Sequence, residues 1–208
     1  MGKFLGINET GHLVTAVKKY SLGVSEVTLV SSTHIGEVEY YNSLKGICEG
    51  MDCVLWEGAM STEPSTDEGR KAHRIGKILR EGYRDKAKHY GLQYMKDVFD
   101  PEELHNGEHC DISSDCLGEE MGEEDLDRIQ SIVSSVLPSR ERMKALAYTS
   151  SCETPIDRKR NDIVNKRLGS AKGKTAVLYG ANHMKHFEKR LLELGYFLES
   201  ERWLVAIE

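Results

Sequence analysis

No stretch of the 208-residue sequence approaches the roughly 18 consecutive apolar residues of a membrane-spanning helix. The chain is therefore expected to cross no membrane and to have no membrane partner. The first residues, MGKFLGINETGHL, lack an apolar core of signal-peptide length. Gly6 stands where N-myristoylation requires Ser or Thr. The five cysteines, Cys48, Cys53, Cys110, Cys116 and Cys152, form no C-x-x-C pair and are odd in number. That usage fits a reduced, cytoplasmic protein with free thiols. A basic excess is missing too: the net charge is −6, against a broad nucleic-acid-binding surface. The basic stretches RKAHR (70–74) and DRKRN (157–161) are short and flanked by acids. There is no internal repeat of solenoid period and no low-complexity segment.

What is present is an ordinary globular composition, 39% hydrophobic and 30% charged, in a chain long enough to close one core. HLVTAV (12–17) and SEVTLVSS (25–32) read as strands separated by the turn-prone SLG. EVEYYNSLKGICEG (37–50) spaces Val38, Tyr41, Leu44 and Ile47 at helical intervals, with Gly50 suited to the end. CVLWEG (53–58) then reads as a buried strand, so the order predicts a β-α-β unit with a parallel strand pair and a right-handed crossover. A charged helix is expected from Thr66 to about Tyr90 with an apolar stripe of Ile75, Ile78, Leu79 and Tyr83. Residues 97–125 read as an acidic, irregular insertion or lid. Helices are expected at 123–137, 139–148 and 156–169, and a strand, a helix and a paired final strand or hairpin close the chain. The fold class is thus a single α/β domain, with a central mixed, largely parallel sheet flanked by helices.

Two stretches share one pattern. TLVSSTH (28–34) and AVLYGANH (176–183) each run from apolar strand through three small residues to a histidine, and a helical segment follows. His34 and His183 therefore belong at the carboxyl ends of strands, the edge where open α/β sheets bind ligands. CVLWEG ends in the carboxylate Glu57, so three strands deliver His34, Glu57 and His183 to one edge. Two imidazoles and a carboxylate suit a divalent metal with open positions for water and substrate. The same trio also suits metal-free work, with one histidine as general base and Glu57 orienting it. Arg160 can hold a substrate carboxylate or stabilise an oxyanion.

The run from Ala176 to Glu208 resembles the closing block of the TraB/TIKI superfamily, which includes PrgY and GumN proteins. Members carry two G-x-x-H motifs at strand ends with a glutamate between them. GANH (180–183) matches the second motif in full; SSTH (31–34) occupies the first, with Ser31 in the glycine position. WEG (56–58) is similar to the acidic strand end, and DRKRN to an Arg-Asn segment before the last strand, which points to Arg160 and Asn161. HCDIS (109–113) resembles a His-x-Asp block of small bacterial relatives and points to His109 and Asp111. The resemblance implies a hydrolase acting on a peptide or small acyl substrate, with a divalent ion (Mn, Co or Zn) at His34, Glu57, His183 and Asp111. Catalysis then falls to His34, Glu57, Arg160 and His183, and substrate binding to Arg160, Asn161 and His109. A non-catalytic peptide-binding regulatory domain and a metal-free His/Glu esterase stay open beside it.

Two other groupings carry less. His105, His109, Cys110 and Cys116 match no zinc-finger spacing and lack the glutamate of H-E-x-x-H. His186, three residues beyond His183, reads as a solvent-facing helix residue.

Overall fold

The computed structural model describes residues 2–59, 61–122 and 154–208. Nine strands are formed among them: β1 (Leu5–Ile7), β2 (Leu13–Leu22), β3 (Ser25–Ser32), β4 (Ile35–Gly36), β5 (Cys53–Trp56), β6 (Gln93–Tyr94), β7 (Gly107–His109), β8 (Lys174–Gly180) and β9 (Phe197–Ile207). The helices are α1 (Val38–Glu49), α2 (Asp67–Tyr90), α3 (Met95–Val98), α4 (Ser114–Glu120), α5 (Pro155–Leu168) and α6 (Met184–Glu193). The expected helices at 123–137 and 139–148 lie outside the described residues, as does Cys152. The other four cysteines are free thiols. No described helix is long and apolar enough to cross a membrane.

Seven strands form the mixed central sheet, whose path runs β1-β2-β3-β8-β5-β7 with β9 on β2. Strands β3, β8, β5 and β7 are mutually parallel; β1, β2 and β9 join antiparallel. A strand has only two edges, so β9 covers one edge of β2 and β1 and β3 share the other. β4 and β6 make a separate two-stranded pair. β8 shows why its sequence is a continuous apolar run: it is buried on both faces, as parallel strands are. Ala176 and Leu178 face the core packed by α1 and the end of α2. Val177 and Tyr179 face the core packed by α5 and α6. The molecule is therefore a three-layer α/β/α domain.

Three expectations need correction. β3, α1 and β5 do follow one another and the strands are parallel, but β8 lies between them, because the last strand of the parallel set inserts into the centre. On α1 the buried face is Tyr40, Tyr41, Leu44 and Cys48, while Val38 is exposed. On α2 the buried positions are Gly69, Ala72, Gly76 and Ala87, and Ile78 is exposed. Small residues, not the largest apolar ones, let α4 approach α2. A Cβ at Gly118 would collide with the Glu68 backbone and one at Gly69 with Asp115. Asp115 in turn accepts from the backbone N–H groups of Ser65 and Thr66, and Thr66 caps α2. Gly118→Ala is expected to destabilise the fold by about 1–3 kcal/mol through this overpacking, seen as a lower denaturation midpoint.

The segment 97–122, expected to be irregular, holds β7 at the sheet edge beside β5 and the capped helix α4. A three-residue strand of Gly107, Glu108 and His109 carries too little apolar pattern to be seen in sequence.

Candidate active site

The carboxyl ends of β3, β8 and β5 are adjacent. Ser32 pairs with Gly180 and Trp56 with Leu178, so the residues just beyond them emerge along one edge. Glu57 follows Trp56 directly, and its Oε2 accepts from Gly180 N–H at 2.6 Å. A Cβ on Gly180 would stand 3.2 Å from that oxygen, so a side chain there would crowd the carboxylate. Ala181 N–H donates to Ser32 carbonyl at 3.2 Å, and α6 starts just after His183. The three strands thus bring His34, Glu57 and His183 to one edge, as the sequence pattern proposes.

Helix α5 supplies the other half. Thr154 and Asp157 form a capping box, with Pro155 in the first turn. Positions 157, 160, 161, 164 and 168 share one face at helical spacing. Val164 and Leu168 are buried against the sheet, and the first turns of that face present Asp157, Arg160 and Asn161 to the strand ends. This is why a segment that reads as basic and solvated carries buried polar residues.

Arg160 occupies the centre. Its Nη2 donates to Glu57 Oε1 at 2.6 Å and to Asp111 Oδ2 at 2.8 Å, and its Nε to Asp111 Oδ1 at 2.9 Å. Asp111 also accepts from the N–H groups of Gly58 and Ile112, and its side chain is fully buried. The group is a two-carboxylate, one-guanidinium cluster with one net negative charge. Burial alone would raise the Glu57 pKa; the charge of Arg160, then those of His183 and His34, and the Gly180 N–H overcome it and hold Glu57 down to about 2.

His183 is 7% exposed. Its Nδ1 lies 2.7 Å from Asn161 Oδ1. With that oxygen accepting, Nδ1 carries the proton and Nε2 the lone pair. Nε2 is 3.9 Å from Asp157 Oδ1. The ring rests edge-on against Tyr179 at 5.3 Å, and Arg160 lies 5.9 Å over the same tyrosine ring. The Tyr179 hydroxyl donates to Cys110 carbonyl at 2.7 Å; burial raises its pKa and keeps it neutral. Desolvation lowers the His183 pKa, with Glu57 pulling upward and Arg160 downward. His34 stands at the mouth, exposed to solvent, its ring 4.8 Å from that of Tyr83 of α2 and tilted 37° to it. Its pKa is lowered as well, by the desolvating protein around it first, with Glu57 and Arg160 opposing each other.

The remaining nominated residues turn to other partners. His109 points Nε2 at Gly58 carbonyl, 2.9 Å away, and packs against Trp56. It holds the loop after Glu57. Asn161, 3% exposed, fixes the His183 ring. His105 is exposed and Cys110 buried, so the His/Cys knot is split between solvent and core. Asp157, Tyr179 and Tyr83 are not among the residues the sequence nominates for the site, Tyr83 being read as part of an apolar helix stripe; of these only Asp157 has a local signal, the Thr154-Pro155-Ile156-Asp157 capping pattern.

Both carboxylates nominated as metal ligands spend oxygens on Arg160 and on backbone N–H groups. Among the described residues no three His, Cys, Asp or Glu side chains form a group able to hold one ion. In this arrangement the cation between Glu57 and Asp111 is the guanidinium.

The cluster also sets an acid response. The folded-state pKa of Glu57 lies below its usual 4.5, so its stabilising contribution, on the order of 3 kcal/mol, is present above pH 4.5 and is lost as pH falls toward about 2. Buried His183, with a depressed pKa, resists the proton that the unfolded chain accepts, so stability already declines below pH 6.5. Urea denaturation from neutral pH downward should show both declines, and Glu57→Gln should remove the more acidic one.

No protein-family model, curated protein or solved structure matches the chain.

Proposed function

We propose that the chain is a hydrolase of peptide or ester bonds, of the TraB/TIKI type, working in a reduced cytoplasmic setting on a peptide or small acyl substrate. The observation that carries this reading is the orientation of His183. Asn161 holds the ring by Nδ1, which puts the lone pair on Nε2 at the strand-end edge. Neutral His183 takes a proton from water at Nε2, and the hydroxide attacks the substrate carbonyl. The imidazolium formed lies near the Glu57–Arg160–Asp111 cluster, whose net negative charge stabilises it. His34, in its neutral form, donates a hydrogen bond to the carbonyl oxygen. The proton on His183 then passes to the leaving oxygen or nitrogen as the tetrahedral intermediate collapses. Arg160 acts by holding Glu57 and Asp111 in place, a positioning role.

The metal-dependent variant is favoured by one feature: a ring anchored at Nδ1, with its lone pair on Nε2, is how metal-ligating histidines are held. Turnover of a panel of p-nitrophenyl esters and fluorogenic peptides, before and after EDTA, separates the two. Hydrolysis that survives EDTA and is lost in His183→Asn supports the metal-free mechanism. Hydrolysis abolished by EDTA and restored by Mn, Co or Zn supports the metal reading. Peptide binding without turnover under any condition supports a regulatory domain and contradicts both.

A further inference from the structure

A cleft of about 330 Å³ opens beside the candidate site, walled by α2 on one side and by the loop after β5 and the start of the 97–122 segment on the other. Its lining is almost entirely polar, and the charges there are unevenly matched. Arg84 is held bidentately by Asp97, at 2.6–2.9 Å. Lys96 is held by Glu102 at 2.5 Å and Asp100 at 3.5 Å. Arg80 faces the same cleft and has no ion pair among the described residues. His73, about two helical turns further back on the same face, lines it too, and its Nδ1 is buried without a hydrogen-bond partner. Glu63 is the remaining acid, and it is exposed to solvent. A guanidinium that no described carboxylate reaches at ion-pair distance, on the same helix face as an imidazole nitrogen without a hydrogen bond, is a place for an anionic oxygen group.

The residues that line the cleft neighbour those of the site. Tyr83 sits between Arg80 and Arg84 on α2 and packs its ring, tilted, against His34. Met95 N–H, next to Lys96, donates to His34 carbonyl at 2.9 Å. Ser61 bonds back to Gly58 in the loop that follows Glu57, and Lys96 reaches Ser61 Oγ. Arg80 lies three residues along α2 from Tyr83, about 4.5 Å of helix rise. An extended residue spans about 3.3–3.6 Å.

We infer that the Arg80–His73 cleft binds the free terminal carboxylate of a short peptide or acyl-amino acid, one or two residues from the bond presented at His34 and His183. This rests on the hydrolase reading for the bond's fate, but not for the binding. In such a substrate water adds to the acyl carbon, the C–N bond breaks, and the terminal amino acid or dipeptide leaves with the proton on its nitrogen. A peptide blocked as its amide lacks the charge that Arg80 calls for.

The test uses N-acetyl-trialanine and the same peptide as its C-terminal amide, titrated into the full chain and followed by the imidazole resonances of His73 and by calorimetry. The acid is expected to bind about tenfold or more tightly than the amide, and Arg80→Gln to erase that difference while thermal unfolding stays unchanged. Arg80→Lys should restore part of the preference. Equal binding of acid and amide, or an unchanged preference in Arg80→Gln, overturns the subsite. Acid-selective binding through Arg80 with no cleavage leaves the subsite standing and overturns the hydrolase reading instead.

Discussion

Arg160→Met is expected to cost about 3–5 kcal/mol of folding stability, the penalty for leaving a buried charge without its partner. The Asp111 side chain is fully buried, that of Glu57 partly buried at 19% exposed, and Arg160 is the side-chain cation bonded to both. Without it their carboxylates repel across a desolvated space, and protonating one of them becomes the way out. The loss should therefore shrink as pH falls toward the ordinary carboxylate range, the opposite trend to that of the wild-type chain. Arg160→Met combined with Asp111→Asn should cost less than the sum of the two single changes, because the second removes the charge the first strands. Urea denaturation of the four proteins at two pH values measures this directly. Additive losses would show that the three side chains do not act as one cluster.

His183→Asn is expected to lower kcat/KM by about 10²–10⁴-fold, the usual worth of a positioned general base, with little loss of stability. The Asn side chain is smaller and stays polar beside Asn161, and the strand, the Gly180 contact and α6 do not depend on the imidazole. Asn161→Ala should give a smaller loss in kcat. It frees the ring without removing it, and its signature is an altered acid limb of the pH profile rather than weaker substrate binding. Stopped assays on the ester panel, with far-UV circular dichroism as the check on folding, separate these outcomes.

The parts of the fold that were legible are those where burial writes a continuous pattern. β8 is buried on both faces and reads as TAVLY; β3 reads as VTLVSS; the small residues after each mark the strand end. From these the shared edge of His34, Glu57 and His183 follows without contact information. What stayed hidden depends on distant partners. The place of β8 between β3 and β5 is a pairing across more than a hundred residues of chain. The buried face of α2 is made of glycine and alanine because α4 packs close, so Ile78 misleads. Arg160 is nominated by the sequence to meet a substrate; its partners, Glu57 and Asp111, come from other elements and leave no local signal. The TraB/TIKI resemblance points to Asp111 as a metal ligand and to Asn161 as a substrate contact; in the structure Asp111 accepts from Arg160 and Asn161 Oδ1 lies 2.7 Å from His183 Nδ1.

The most direct test of the central claim is the pH dependence of kcat/KM for EDTA-treated protein on the best ester or peptide of the panel. The account predicts turnover with an acid limb whose apparent pKa lies below the usual histidine value of 6.5, and loss of that limb in His183→Asn. An acid limb that persists unchanged in His183→Asn, or no turnover after EDTA until a divalent ion is returned, would contradict it.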